Sequence, residues 1–384
     1  MKNKTLNIIL RIIGILILIP LISWLLLCFQ PKRPLNIYIL DKTVPTLERN
    51  EHRSFNWILT HNRYVKENKR RYSYKKDYFG FFPLNLKKKT YKSESIQLED
   101  IFNIINKYDM LYYTDTYGVY YEDWLRGMKK GSSRSTLIYG GLNSNDYSLM
   151  LEMNKIKKLI ITEYNILAPP TSVLIKYKIE ELFDIHWSGW VGRYFDKLDP
   201  GNPDLPEWVV QTYKNSHYGK WPFKESGIIF MKNNRRAVIL ENGTHLNTEV
   251  PMIFTDKYGQ EKFDIPGEIH YPFEFDITLS GGRNRIVSTY EINVNEEGDS
   301  LLQIYNIPKS FPAVIEGNEN SSFYYFAGDF ADYPVSLFSA HFKGIRHLDF
   351  LFYNEEINDR SKFYWKFYMP MISKILDDYY NIKK

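Results

Sequence analysis

Four acidic residues of this chain follow closely on short runs of β-forming apolar residues. Asp41 follows LNIYIL, Asp115 follows MLYYT, Glu163 follows LIIT, and Asp329 comes just after FYYF. If those runs are parallel strands, all four carboxylates share one edge of a sheet. Carboxyl groups held close together repel one another and lose solvent, which drives their pKa values apart and suits them to general acid and base roles. The same oxygens could hold a hard cation. Asp115 and Glu163 are the expected acid–base pair, with Asp41 and Asp329 in support. The structural alternative is that each carboxylate makes a turn or caps a helix.

Other residues are expected on the same edge as substrate-binding groups. Lys42 follows Asp41, His52 lies in Asn50-Glu51-His52-Arg53 near a helix start, and Tyr117 follows Asp115. Asn143 follows Gly140-Gly141, where paired glycines can bring backbone N–H groups to a ligand or simply make a turn. The segment His186-Trp187-Ser188-Gly189-Trp190-Val191-Gly192-Arg193-Tyr194-Phe195 reads as a loop. Its Trp187 and Trp190 could form a stacking platform for a sugar and its Arg193 an anion clamp, or the loop could pack over the sheet edge. His341 and His347-x-Asp349 have no metal-ligand spacing. There is no G-x-S-x-G, H-E-x-x-H, P-loop or G-x-G-x-x-G, so no metal and no cofactor is expected. The one cysteine, Cys28, excludes a disulfide framework. A net charge of +5 over 384 residues gives no reason to expect nucleic acid.

The elements that must position these groups alternate. Leu35 to Leu40, Met110 to Thr114, Ser135 to Tyr139 and Leu159 to Thr162 read as strands buried on both faces, hence a parallel sheet. Helices are expected through Leu98–Ile105, Leu149–Ile156 (capped by Asn143 or Ser144), Val173–Leu182 (opened by Pro169-Pro170-Thr171) and from Pro206 onward. Beyond Ile228 come short strand-like runs, Leu301 to Ile307 among them, separated by Asn- and Gly-containing turns. Phe323 to Phe326 then returns to the first sheet, and a helix from about Lys362 to Tyr380, broken near Pro370, closes the chain. The expected domains are 1–33, a cytoplasmic stub and anchor; 34–234, an α/β domain; 235–320, a β-rich insertion; and 321–384, the return strand and last helix.

Ile12 to Phe29 runs 18 residues without a formal charge. As a helix it covers about 27 Å, close to the hydrocarbon thickness of a bilayer. Lys2, Lys4 and Arg11 precede it, against Lys32 and Arg33 after it, which favours a cytoplasmic N-terminus and an extracytoplasmic body. The bulky end Leu25-Leu26-Leu27-Cys28-Phe29 lacks the small residues of a signal-peptide cleavage site. The expectation is an uncleaved, single-pass anchor in the lipid bilayer through residues 12–29.

Leu137-Ile138-Tyr139, Gly140-Gly141, the helix after them and Lys158-Leu159-Ile160-Ile161 together resemble the class I glutamine-amidotransferase-like α/β superfamily. The whole also resembles membrane-anchored bacterial proteins built on that fold. The resemblance implies a fold class: α/β, with a transmembrane helix, then a mostly parallel open sheet flanked by helices, amidotransferase-like or flavodoxin-like, and a β-rich insertion. The resemblance does not extend to the chemistry, because amidotransferases use a cysteine nucleophile on a tight elbow and this chain has no cysteine beyond the anchor. Two functions remain open. One is an enzyme, such as a hydrolase, acting on a cell-envelope polysaccharide. The other is a non-catalytic glycan- or protein-binding scaffold on a degenerate fold.

Overall fold

The computed structural model describes residues 2–122, 124–125, 135–233 and 236–384; in the first helix, side chains at 2–9, 12, 13, 15 and 16 lie outside the description. The apolar runs form a ten-stranded mixed sheet. Its centre is five parallel strands, in the spatial order Phe79–Asn85, Ile37–Asp41, Met110–Tyr113, Leu159–Thr162 and Phe323–Phe326. Numbered along the chain, that order is 2-1-3-4-5, the flavodoxin-like doubly wound arrangement. Every residue of the last four of these strands is buried. That is why they read as continuous apolar runs and not as alternating ones. Antiparallel strands extend both edges: Thr90–Ser93 on one side, and Ser310–Glu316, Arg285–Glu291, Met252–Thr255 and Glu268–His270 on the other.

A second, four-stranded antiparallel sheet runs in the order Arg236–Glu241, Gly227–Lys232, Ile185–Phe195 and Phe275–Ser280. The Trp-rich segment expected as a loop is therefore a strand, with a bulge between Trp187 and Val191 where Gly189 takes a φ of 90°. Its β-branched and aromatic residues favour a pleated surface, and the glycine supplies the bulge rather than a loop. The edge strand Phe275–Ser280 bonds to the turn after the last parallel strand: Asp276 N–H to the Ala327 carbonyl at 2.8 Å, and Asp329 N–H to the Glu274 carbonyl at 3.1 Å. The second sheet thus abuts the end of the first.

Two other expected strands are corrected. Leu137–Tyr139 is not part of the main sheet; it pairs antiparallel with Val119–Tyr120 and is half-exposed. Leu301 to Ile307 is mostly helix, Glu296–Ile304, with the Asn295 side chain accepting from Gly298 N–H. The cap and the acidic first turn Glu296, Glu297 and Asp299 decide it.

Helices cover both faces. Asn50–His61 buries Phe55, Trp57, Ile58 and Leu59. Phe55 stacks on Tyr112 at 4.0 Å, and Trp57 meets Trp365 edge-on at 5.1 Å. The closing helix is continuous from Ser361 and is widened by a π-turn at Tyr364–Tyr368, directly before Met369–Lys383. The irregularity expected near Pro370 is thus a π-bulge. In the expected Leu98–Ile105 helix, Ile101 is buried, while Leu98 and Phe102 face solvent.

The N-terminus is a helix, Lys2–Phe29. Among the described residues no helix is long and apolar enough to cross a membrane. Ile12, Ile13, Ile15 and Leu16, on which the span expectation partly rests, have side chains outside that description.

Candidate functional site

In a sheet of order 2-1-3-4-5, the crevice for a ligand opens beyond the carboxyl ends of the strands where chain order reverses, here between Ile37–Asp41 and Met110–Tyr113. Asp41 and Asp115 stand on either side of that point, both buried. Thr43 ties them together. Its N–H donates to Asp41 Oδ1 at 3.0 Å, its hydroxyl bonds the Asp115 carboxylate, and it accepts Gly118 N–H at 2.7 Å. Asp115 Oδ1 also accepts Tyr117 N–H at 2.7 Å. Burial, and then the Asp41 charge, outweigh these bonds and push the Asp115 carboxyl up to about 7. Gly80 lets its strand pass this close: at φ 124°, a Cβ there would sit 1.8 Å from the Asp41 carbonyl oxygen.

His52 supports Asp41 from below. Its Nδ1 lies 2.6 Å from Asp41 Oδ2 and its Nε2 lies 2.7 Å from the Tyr74 carbonyl oxygen. A carbonyl only accepts, so Nε2 carries a proton, and a second proton shared between Nδ1 and Asp41 Oδ2 lets the ring orient Asp41. His52 is fully buried, so it positions the carboxylate and does not meet substrate.

Asp329 joins the same rim through an ion cluster that has no signature in the sequence. Arg360, from the start of the closing helix, lies 3.6 Å from Asp329, 3.2 Å from Asp332 and 3.0 Å from Glu274. Arg193 pairs with Glu274 at 2.9 Å. Burial alone would raise Glu274, but Arg193 and then Arg360 hold its carboxyl below the ordinary range. Burial and the neighbouring Asp332 push Asp329 well up, and burial with Asp41 and Asp332 does the same to Glu51. The Glu51 Oε2 atom is buried with no hydrogen-bond partner among the described residues. Tyr164 also faces this group: burial, then Glu274, Asp115, Asp276 and Asp329, raise its hydroxyl. The rim therefore carries Asp41, Glu51, Asp115, Glu274, Asp329 and Asp332 against two partly buried guanidinium groups, Arg193 and Arg360.

Several expected site residues are committed elsewhere. Glu163 is on the right edge but sealed under the turn that follows the last parallel strand. Its Oε2 accepts Phe330 and Ala331 N–H at 3.1 and 3.0 Å, and its Oε1 bonds the Tyr112 hydroxyl. It cannot pair with Asp115 on a substrate. Lys42 is buried in an ion pair with Asp146 at 2.6 Å and donates to the Gly141 carbonyl at 2.8 Å. Asn143 is a helix N-cap in a full capping box with Asp146. Gly141 N–H donates to the Thr116 carbonyl, so the glycine pair cradles a turn and not a ligand. Tyr117 stands beside Asp115, its ring 5.0 Å from Tyr120.

Trp190 is 1% exposed and cannot stack on a sugar. Trp187 donates its indole N–H to the Trp190 carbonyl at 3.1 Å, bracing the bulge. Of that segment only Arg193, half-exposed beside Glu274, reaches the rim. Among the described residues no group of three or more His, Cys, Asp or Glu side chains is arranged to hold a metal ion. What the rim offers is proton transfer: a carboxyl that titrates near neutrality next to a second, oriented carboxylate.

No protein-family model and no curated protein matches this sequence. Two of the solved structures that match this chain are both described as ThuA-like proteins. The one from Bacteroides uniformis is 9% identical, with a TM-score of 0.33, over 81% of this chain and 90% of that one. The one from Parabacteroides merdae is 9% identical, with a TM-score of 0.34, over 77% of this chain and 79% of that one. The strand Leu137–Tyr139, on which part of the resemblance rests in sequence, lies outside the main sheet.

Proposed function

We propose that this chain is a membrane-anchored enzyme that carries out acid–base chemistry on a polar substrate at the carboxyl rim, with Asp115 as the general acid and Asp41 as its oriented partner. The observation that carries this reading is the Asp115 carboxyl, pushed up to about 7 beside Asp41 at the switch point. Groups shifted by burial and by a specific neighbour gather at functional sites. Support for the anchor comes from the first helix. Ile17, Leu18, Ile19, Leu21, Ile22 and Leu26 on it are all exposed, an apolar surface that water does not tolerate on this scale. The charge bias of Lys2, Lys4 and Arg11 supports a body outside the cytoplasm, where the polar polymer within reach is a cell-envelope polysaccharide.

The test uses the full chain in detergent with isolated envelope polysaccharide and measures new reducing ends. Wild type releases them, and Asp115→Asn lowers the rate by about 10²–10⁴-fold with its melting temperature unchanged. Equal rates for the two would defeat the assignment. A second reading, a non-catalytic glycan- or protein-binding scaffold, is favoured by the internal pairing of Lys42 with Asp146 and of His52 with Asp41. It predicts polysaccharide binding without turnover, unaffected by Asp115→Asn. A reporter fused to the C-terminus tests the orientation: periplasmic or surface activity supports it, and cytoplasmic activity overturns it.

A further inference from the structure

The end of the first helix is fixed to the body, and at a depth that matters. Ser23 Oγ donates to the Lys343 carbonyl at 2.7 Å, and Lys343 N–H donates to the Ser23 carbonyl at 3.2 Å. Ser23 lies six residues before the last helical residue, Phe29. At 1.5 Å per residue, Lys343 therefore meets the helix about 9 Å back from its C-terminal end, on the membrane side.

The segment around Lys343 is inside out for a water-facing surface. Two short 3₁₀ turns, Ser339–His341 and Ile345–Leu351, lie on either side of it. Their inward side holds Ala340 and Ile345 but also a carboxylate, Asp349, paired with Lys366 at 2.8 Å. Their outward side shows Phe338 at 72%, Leu351 at 65% and Phe350 at 59% exposure, with Leu348 and Phe352 beside them. Lys343 and His347 are exposed among them, while Arg346, paired with Asp264 at 2.7 Å, shares a cavity of about 400 Å³ with Gln30 and Pro31 at the helix end. Large aromatic and aliphatic side chains next to basic ones, flat against a surface, are the composition of an interfacial membrane contact.

We propose that residues 338–352 form a second membrane contact, seated at the headgroup–acyl boundary of the leaflet from which the helix emerges. The occupant is the phospholipid bilayer. The patch is continuous with the apolar helix, sits at a depth of about 9 Å where interfacial segments bury their apolar face, and presents the exposed Lys343 to anionic headgroups. The body is then mounted flat on the bilayer by two contacts and does not swing on a tether. This inference rests on the anchor reading given above.

The experiment places an environment-sensitive fluorophore on single cysteines in a Cys28→Ser background: Leu351→Cys, Phe350→Cys, Ile19→Cys and, as a water-exposed control, Tyr218→Cys. All four side chains are exposed, so the labels displace no packing. The full chain is reconstituted in phosphatidylcholine vesicles with a minority of phosphatidylglycerol, with and without nitroxide-labelled lipid. The expected result is a blue shift and lipid quenching at 350 and 351, comparable with that at 19, and neither at 218. Quenching at 19 with water-like emission at 350 and 351 overturns this proposal and leaves the anchor standing. No quenching at 19, with extraction of the protein by alkaline carbonate, overturns the anchor and this inference with it. A blue shift at 351 without lipid quenching means that another copy of the chain covers the patch, and also overturns the proposal.

Discussion

Asp115 and Glu163 are both buried carboxyls pushed up from the ordinary range, but Asp115 keeps 7% of its surface exposed while Glu163 keeps none. For Asp115, the acid form is lost as pH rises through about 7, so a reaction that uses it as general acid slows across that point. The measured rate should fall above about pH 7 in wild type, and the residual rate of Asp115→Asn should show no such step. A rate that rises through the same range would assign Asp115 the role of base instead. For Glu163 the consequence is stability. Burial, working against bonds from Tyr112, Ala331 and Phe330, pushes it from 4.5 to about 8. Between those values the folded chain holds a proton that the unfolded chain has lost, so this group's contribution to stability is whole below about 4.5 and is lost as pH rises to about 8. Glu163→Gln copies the protonated form: its amide can donate toward Tyr112 while its oxygen still accepts from Phe330 and Ala331. Urea unfolding at about pH 5 and about pH 8 should show wild type falling behind the variant by the order of a few kcal/mol at the higher pH. Parallel curves would mean that Glu163 is ionised in the fold.

At the scale of elements, Lys42 separates a structural role from a binding one. It follows the central strand and reaches the first turn of the helix Ser144–Lys155, where Asp146 is equally buried. Lys42→Met leaves that carboxylate in the interior without its counter-ion, held only by the Asn143 N–H of the capping box, which costs about 3–5 kcal/mol, read as a lower urea midpoint. Full stability with lost binding would return Lys42 to the substrate site. The same helix shows what a sequence discloses: Asn143, three residues before Asp146, is a local capping pattern and was readable as such. So were LNIYIL, MLYYT, LIIT and FYYF, because strands buried on both faces leave continuous apolar runs. Leu301–Ile307 was equally readable as helix from Asn295 and the acids after it, but its apolar density suggested a strand. The Trp-rich strand misled through its glycines. Gly192 is there because a Cβ would meet the Phe275 ring at 2.3 Å, a requirement set by a residue 83 positions away. The rim was half legible for the same reason. Asp41 and Asp115 come from adjacent strands with local signatures, whereas Glu274 is brought in by the second sheet, Asp332 by the turn after the last parallel strand and Arg360 by the closing helix, with no pattern of their own.

At the scale of the whole molecule, what matters is how the body is held to its first helix. The last carbonyls of a helix lack partners and carry its negative dipole end. Here Arg63 supplies both remedies: its guanidinium donates to the Cys28 carbonyl at 3.2 Å and to the Gln30 carbonyl at 3.3 Å. Beyond it the chain is stitched down at once, Arg33 N–H to the Arg63 carbonyl and Leu35 N–H to the Val65 carbonyl, each at 2.9 Å. The link from helix to sheet therefore has no slack, and the orientation of the carboxyl rim relative to the helix axis is set by these few bonds together with the Ser23–Lys343 pair. Trypsin reads that slack directly. Lys32 is exposed between the helix and the first bonded residue, and Pro34 blocks cleavage after Arg33. Arg63→Ala removes the bonds to Cys28 and Gln30 but keeps the backbone pairing of 33 with 63. It should therefore lower global stability by no more than about 1 kcal/mol while cleavage after Lys32 becomes several-fold faster. If the cleavage rate does not change, Arg63 is not what holds the helix, and the Ser23–Lys343 bonds alone must set the angle between the body and its helix.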